Sequence, residues 1–285
     1  MAETKIISPV IDINAYLGDW PFRPLRHRTA AALRRALQAV GITRALVSPL
    51  AAIFRQECRS ANSELMQALR QRGDFLIPLP ALNPAYPGWE DDLEQALRAR
   101  AVGVRLFPNY HEYSLADSAI RAAITQAAAG GAAIFISLRM QDERHHHPRM
   151  MVPAVPPEEV AALAQALPRA RIIACMARYP EAETLLAAHA AGDVILSASE
   201  GSCPRQTATG HCPNGVFLDL SGVQGPVGCV DLLAQRFGAE RLLMGTGAPL
   251  QYPLPAVAKI RASELPADAR DQILGMNAAS LLGLT

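Results

Sequence analysis

The stretch VGVRLFPNYHEYSLADSAIRAAITQAAAGGAAIFISL, Val102 to Leu138, decides the fold. It opens on a short apolar run, Val102–Leu106, and crosses a polar loop. An Ala/Ile-rich helical stretch follows over Ala116–Ala129, then a turn on Gly130-Gly131 and a second apolar run, Ala133–Leu138. Short runs apolar on both faces are how strands of a buried parallel sheet read, and a helix between two of them makes a βαβ unit.

The same alternation extends in both directions. Further strands are expected at Val10–Asn14, Ala45–Ser48, Leu76–Leu79, Arg171–Cys175, Val216–Leu220 and Arg241–Met244. Helical stretches are expected at His27–Val40, Ser60–Arg72, Trp89–Arg100, Pro157–Leu167, Pro180–Ala190, Val227–Phe237 and Ala267–Leu284. Gly41, Gly73 and Gly238 sit where a helix ends on a left-handed residue, and Pro157 and Pro180 where one begins. Eight strands alternating with helices predict an α/β fold of the (β/α)8 (TIM) barrel type over 1–285 as one domain, with an inserted loop at about 194–214. An open doubly wound sheet is the alternative, but no GxGxxG or GxxxxGK[ST] follows the first strand.

Composition narrows the partners. Lys plus Arg number 27 against 26 Asp plus Glu, half the chain is hydrophobic and 19% is charged. A net charge of +1 gives no clustered excess of cations for nucleic acid or anionic lipid. No apolar run approaches a membrane span, the amino end lacks a signal-peptide pattern, and five scattered cysteines without CxxC spacing read as reduced thiols, so a cytoplasmic location is expected.

In a barrel, chemistry sits at the carboxyl ends of strands. Asn14 and Tyr16, two apart after the first strand, are expected to face the mouth and to touch substrate. Arg105, inside an apolar strand, is costly unless paired, so it meets either a carboxylate partner or an anionic ligand. His111, in the loop after that strand, a loop expected to be exposed, is an acid/base or ligand candidate, with a merely solvated histidine as the alternative. The densest cluster is Arg139-Met140-Gln141-Asp142-Glu143-Arg144-His145-His146-His147. Asp142, His145 and His147 are candidates for proton handling, while Arg139, Arg144 and Arg178 are candidates for holding an anion. His145 and His147, with Asp142, are also the candidates for a divalent metal such as zinc; consecutive histidines match no defined ligand spacing, and a plain hydrogen-bonded loop is the simplest alternative.

The chain resembles the amidohydrolase-related metal-dependent hydrolases, in the branch of aminocarboxymuconate semialdehyde decarboxylase and aromatic acid decarboxylases. The resemblance rests on Ile11-Asp12-x-Asn14-x-Tyr16 in place of IDxHxH, on Gly103-Val104-Arg105-Leu106, on Ile172-Ile173-Ala174-Cys175-Met176 and on Phe217-Leu218-Asp219-Leu220-Ser221. To these are added Leu243-Met244-Gly245-Thr246-Gly247-Ala248-Pro249 in place of FGTDAP and the closing Asn277-Ala278-Ala279-x-Leu281-Leu282-Gly283-Leu284. It implies a catalytic divalent metal, but the positions it assigns to ligands hold Asn14, Tyr16, Ser137, Cys175 and Gly247, so the usual centre is expected to be absent and any metal relocated. It also implies homo-oligomers. Two function classes follow: a hydrolase or decarboxylase-like lyase acting on a small carboxylate, or a catalytically inactive barrel that binds a small ligand or protein partner.

Overall fold

A computed structural model describes residues 8–70, 73–146, 149, 151–187 and 215–284, and of His145 the backbone alone. The expected 194–214 loop and His147 lie outside the described residues. The strands are β1 (Ile11–Leu17), β2 (Arg44–Pro49), β3 (Leu76–Pro78), β4 (Gly103–Leu106), β5 (Ala133–Ser137), β6 (Arg171–Cys175), β7 (Gly215–Asp219) and β8 (Leu242–Leu243). Every named pairing is parallel, β1-β2-β3 in one run and β4 through β8 in the other.

Backbone bonds join the two runs into a closed barrel. On one side Arg105 N–H donates to Pro80 C=O at 2.8 Å and Leu82 N–H to Arg105 C=O at 2.9 Å; on the other Ile13 N–H donates to Met244 C=O at 3.0 Å. Closure removes sheet edges and encloses an inner face, the arrangement of a (β/α)8 barrel.

The helices are α1 (Ala30–Gln38), α2 (Arg59–Leu69), α3 (Trp89–Arg98), α4 (Ser118–Ala129), α5 (Pro157–Ala166), α6 (described over 179–187), α7 (Cys229–Phe237), α8 (Pro253–Arg261), α9 (Ala267–Asp271) and α10 (Asn277–Leu282). Their ends follow local chemistry. Thr29 caps α1 by accepting from Ala32 N–H at 3.3 Å, and three acidic residues, Glu90 to Asp92, face the positive end of α3. The sequence reading omitted α8, whose two prolines in the first turn mask its pattern, and joined α9 to α10 across a π-turn at Gln272–Met276.

The core has three parts. Apolar residues between strands and helices form the outer layer. Inside the barrel Ile11, Leu46, Leu79, Phe135, Ile173, Phe217 and Leu243 pack together, closed below by Leu281 and Leu282 of α10. Across the mouth Tyr16, Trp20, Leu50, Phe107 and Met140 form a third cluster. Gly103 is what lets Phe135 fill the interior: a Cβ at 103 would strike the Ala133 carbonyl and lie 2.9 Å from the Phe135 ring. Gly103→Ala is therefore expected to cost about 1–3 kcal/mol, read as a lower urea midpoint with unchanged slope.

Candidate active site

Arg105 projects from β4 into the barrel and is completely buried. Its Nε–H donates to Ser48 Oγ at 2.8 Å, Nη1 to Tyr16 Oη at 2.9 Å and Ser137 Oγ at 3.1 Å, and Nη2 to the Ile13 carbonyl at 3.3 Å. Its guanidinium carbon lies 4.9 Å from the Tyr16 ring centroid and 5.4 Å from that of Phe135. Aromatic faces and neutral oxygens thus replace the water this cation has lost.

Two buried carboxyls stand on other strands of the barrel, Asp219 on β7 and Asp12 on β1. Asp219, ending β7, accepts from Asn14 Nδ2 at 2.7 Å, from Ser221 Oγ, from Ser221 N–H at 2.9 Å through its other oxygen, and from Met176 N–H at 3.2 Å. Asp12 accepts from Thr246 Oγ1 at 2.6 Å, Thr246 N–H at 2.9 Å and Asn14 N–H at 3.0 Å. Burial pushes both carboxyls up, Asp12 to about 6, against the pull of these hydrogen bonds; the Arg105 charge also pulls Asp219 down.

Above these groups, at the carboxyl ends of β5 to β8, lies a polar cleft of about 340 Å³. Arg139, Asp142, Arg144, Arg178, Met176, Gln224 and Gln251 contribute to its lining. Arg139 is clamped: it makes a bidentate pair with Glu181 and donates to the Met176 carbonyl at 2.8 Å. Asp142 receives Arg144 through Nη2 at 2.7 Å and Nε at 3.0 Å, bonds that hold its carboxyl well below the usual range. Arg178 is half-exposed and approaches Glu143 at 3.2 Å and Asp142 at 3.8 Å. Met176 adopts φ +62°, held there by its N–H bond to Asp219 and its carbonyl bond from Arg139. Left-handed backbone at a non-glycine residue is costly and persists only where its surroundings fix it.

The residues expected from sequence therefore fall into separate places. Arg139, Asp142, Arg144 and Arg178 share the cleft. Tyr16 and Arg105 meet in the barrel interior, with Asn14 beside them on Asp219. His111 lies elsewhere. The loop reading placed it in solvent, whereas it is buried edge-on to Phe107, with Nε2 2.8 Å from the Ala52 carbonyl and Nδ1 unpartnered. Burial lowers its pKa. The backbone of His145 closes the short turn Glu143–His145 that follows Asp142. Asp219, Ser221, Glu181, Gln224 and Gln251 were not singled out as site residues; an Asp ending an otherwise apolar strand was the signal available for the first.

A family model described as Amidohydrolase matches residues 11–284. The chain belongs to the amidohydrolase family. No curated protein matches this chain by sequence. Among solved structures it is similar to 5-carboxyvanillate decarboxylase from Sphingomonas paucimobilis (TM-score 0.69, 16% identity, 98% of this chain and 100% of that one). It is also similar to 2,6-dihydroxybenzoate decarboxylase from Rhizobium (0.70, 17%, 98% and 99%). A third is dihydroxybenzoic acid decarboxylase from Polaromonas sp. JS666 with bound manganese and 2-nitroresorcinol (0.70, 15%, 98% and 98%). At these identities the likeness is one of fold.

The residues of this chain do not fit a divalent metal at the family's place. The ligand positions implied by the resemblance present an amide, a phenol, a hydroxyl, a thiol pushed up to about 12 by burial, and a glycine. Among the described residues no three His, Cys, Asp or Glu side chains converge as a ligand set. Asp142, the carboxylate of the relocated alternative, is engaged by Arg144.

The raised Asp12 carboxyl gives a signed prediction. Between pH 4 and 6 the folded chain holds a proton that the unfolded chain releases, so this group's contribution to stability falls as pH rises through that window. Lowering pH from 7 to 5 is expected to stabilise the wild type by about 1 kcal/mol relative to Asp12→Asn, measured by urea unfolding at both pH values.

Proposed function

We propose that this member of the amidohydrolase family is a decarboxylase-like lyase that acts on a small carboxylate in the cleft at the ends of β5 to β8, without the family's metal. The observation that carries the proposal is the convergence of Arg139, Arg144 and Arg178 with the amides of Gln224 and Gln251 around one mouth cavity of about 340 Å³. That volume suits a small organic acid, and guanidinium forks with amide donors suit its carboxylate. The half-exposed Arg178, less tightly held than Arg139, is the group placed to exchange an internal partner for the ligand. In a decarboxylation the bond to the carboxyl carbon breaks, carbon dioxide leaves, and the electron pair left on the substrate takes a proton. Asp142 is held ionised and fixes the Arg144 guanidinium at the mouth. Proton delivery is assigned to His145 and His147, which follow it along the chain.

One observation favours a second reading, binding without turnover: the charged groups of the cleft already pair with one another, Asp142 with Arg144, and Glu181 with Arg139. A panel of small aromatic and dicarboxylic acids separates the two. Carbon dioxide release that Arg178→Ala reduces at least tenfold, and that His145→Ala with His147→Ala abolishes, is the expected result. A rise in melting temperature with no product would establish the binding module instead. Neither product nor stabilisation with any acid would remove the carboxylate reading altogether.

A further inference from the structure

The family frame brings a metal's place with it, and in this chain a side chain of the protein fills that place. Arg105 Nη1 lies within 3.1 Å of Tyr16 Oη and Ser137 Oγ, side chains at two of the implied ligand positions, and Cys175, at a third, is buried beside Ser137 on the neighbouring strand with its thiol turned to the Ile173 carbonyl. A metal ion bonds oxygen at roughly 2.0–2.2 Å, so an ion bridging the Tyr16 and Ser137 hydroxyls would overlap the guanidinium nitrogen that already bridges them. Arg105 is wholly buried, and so are Tyr16, Ser137 and Cys175.

We infer that Arg105 is a built-in, non-exchangeable cation that has taken over the structural and electrostatic place of the divalent metal. Three features agree. The guanidinium is always protonated, so its charge is permanent. Its donors reach β1, β2 and β5 from β4, joining strands around the barrel as an ion with several ligands would. Asp219, which accepts from Asn14, feels the charge of this cation, which favours its ionised form against the effect of burial. Arg105 is thus a positioning residue of the interior, and the inference does not depend on whether the cleft turns over a carboxylate.

The test reads metal and stability. Untagged wild type is expected to carry well under one divalent ion per chain, and its melting temperature to be unmoved by EDTA or by excess Mn2+ or Zn2+. Arg105→Met, which keeps much of the length and removes the charge, is expected to lower the melting temperature with no recovery on adding either ion, and Arg105→Lys to fall between. The wild-type measurements stand even if Arg105→Met does not fold. The inference is overturned by one tightly held ion per chain that Cys175→Ala releases and whose chelation lowers the melting temperature. It is equally overturned if Arg105→Met is as stable as wild type.

Discussion

A guanidinium sealed inside the barrel, with hydroxyls and a carbonyl as its directly bonded oxygens, is the constraint around which the other polar residues are arranged. Removing such a cation from water is expensive, and in a site this dry the cost is recovered only if each donor finds an acceptor in its own plane. Ser48, Tyr16 and Ser137 provide hydroxyls from three strands, and the Ile13 carbonyl completes the fork. These acceptors are neutral. One layer further out Asp219, whose ionised form the Arg105 charge favours against burial, spends its lone pairs on Asn14, Ser221 and the Met176 amide. Truncating one member therefore leaves a neighbour buried and unpaired, and its effects spread beyond its own contact.

The same chain of bonds reaches the mouth. Met176 links the two levels: its amide donates inward to Asp219, while its carbonyl accepts outward from Arg139. Gly222 packs directly on this backbone, where a Cβ would lie 2.5 Å from the Met176 carbonyl carbon. The left-handed turn at Met176 is thus held from three sides, and Arg139 is fixed by Glu181 and by that carbonyl together. Arg178, half-exposed and 3.2 Å from Glu143, is held less tightly than Arg139. The interior sets the positions of the cleft walls, while the loop carrying Asp142, Glu143 and Arg144 sets their charge.

Much of the frame was legible because it depends on patterns local in sequence. Runs apolar on both faces gave β2 to β7 within a few residues, and Gly238, with φ +89°, caps α7 as read, whereas Gly41 lies three residues beyond the end of α1 and Gly73 opens the turn Gly73–Phe75. Arg105 was legible as a problem, since an arginine in an apolar strand must be compensated, but not as a solution. Its acceptors are 57 and 89 residues before it and 32 after it, and none is charged, so no complementary charge in the sequence advertises the contact. Glu181 and Asp219 were missed for the same reason: their partners are 42 and 205 residues distant. His111 shows the opposite failure. Polar and aromatic neighbours in sequence suggested solvent, yet the turn over Phe107–His111 folds its ring inward, where desolvation disfavours the charged form.

The choice of arginine over lysine at position 105 follows from geometry. An ammonium is a point charge with three donors on a flexible stem, and it is strongly hydrated, so burying it costs more per hydrogen bond regained. The acceptors around position 105 instead surround a planar fork, with Ser48 at Nε, Tyr16 and Ser137 at Nη1, and Ile13 at Nη2. The rings of Tyr16 and Phe135, each about 5 Å from the guanidinium carbon, add favourable contact with its delocalised charge. Phe135 can occupy that position only because Gly103, two residues before Arg105 on the same strand, leaves room for its ring. The glycine, the aromatic and the arginine are therefore one packing solution, and the family frame survives the loss of its ligands because this group supplies both the cross-links and the charge at the barrel's centre.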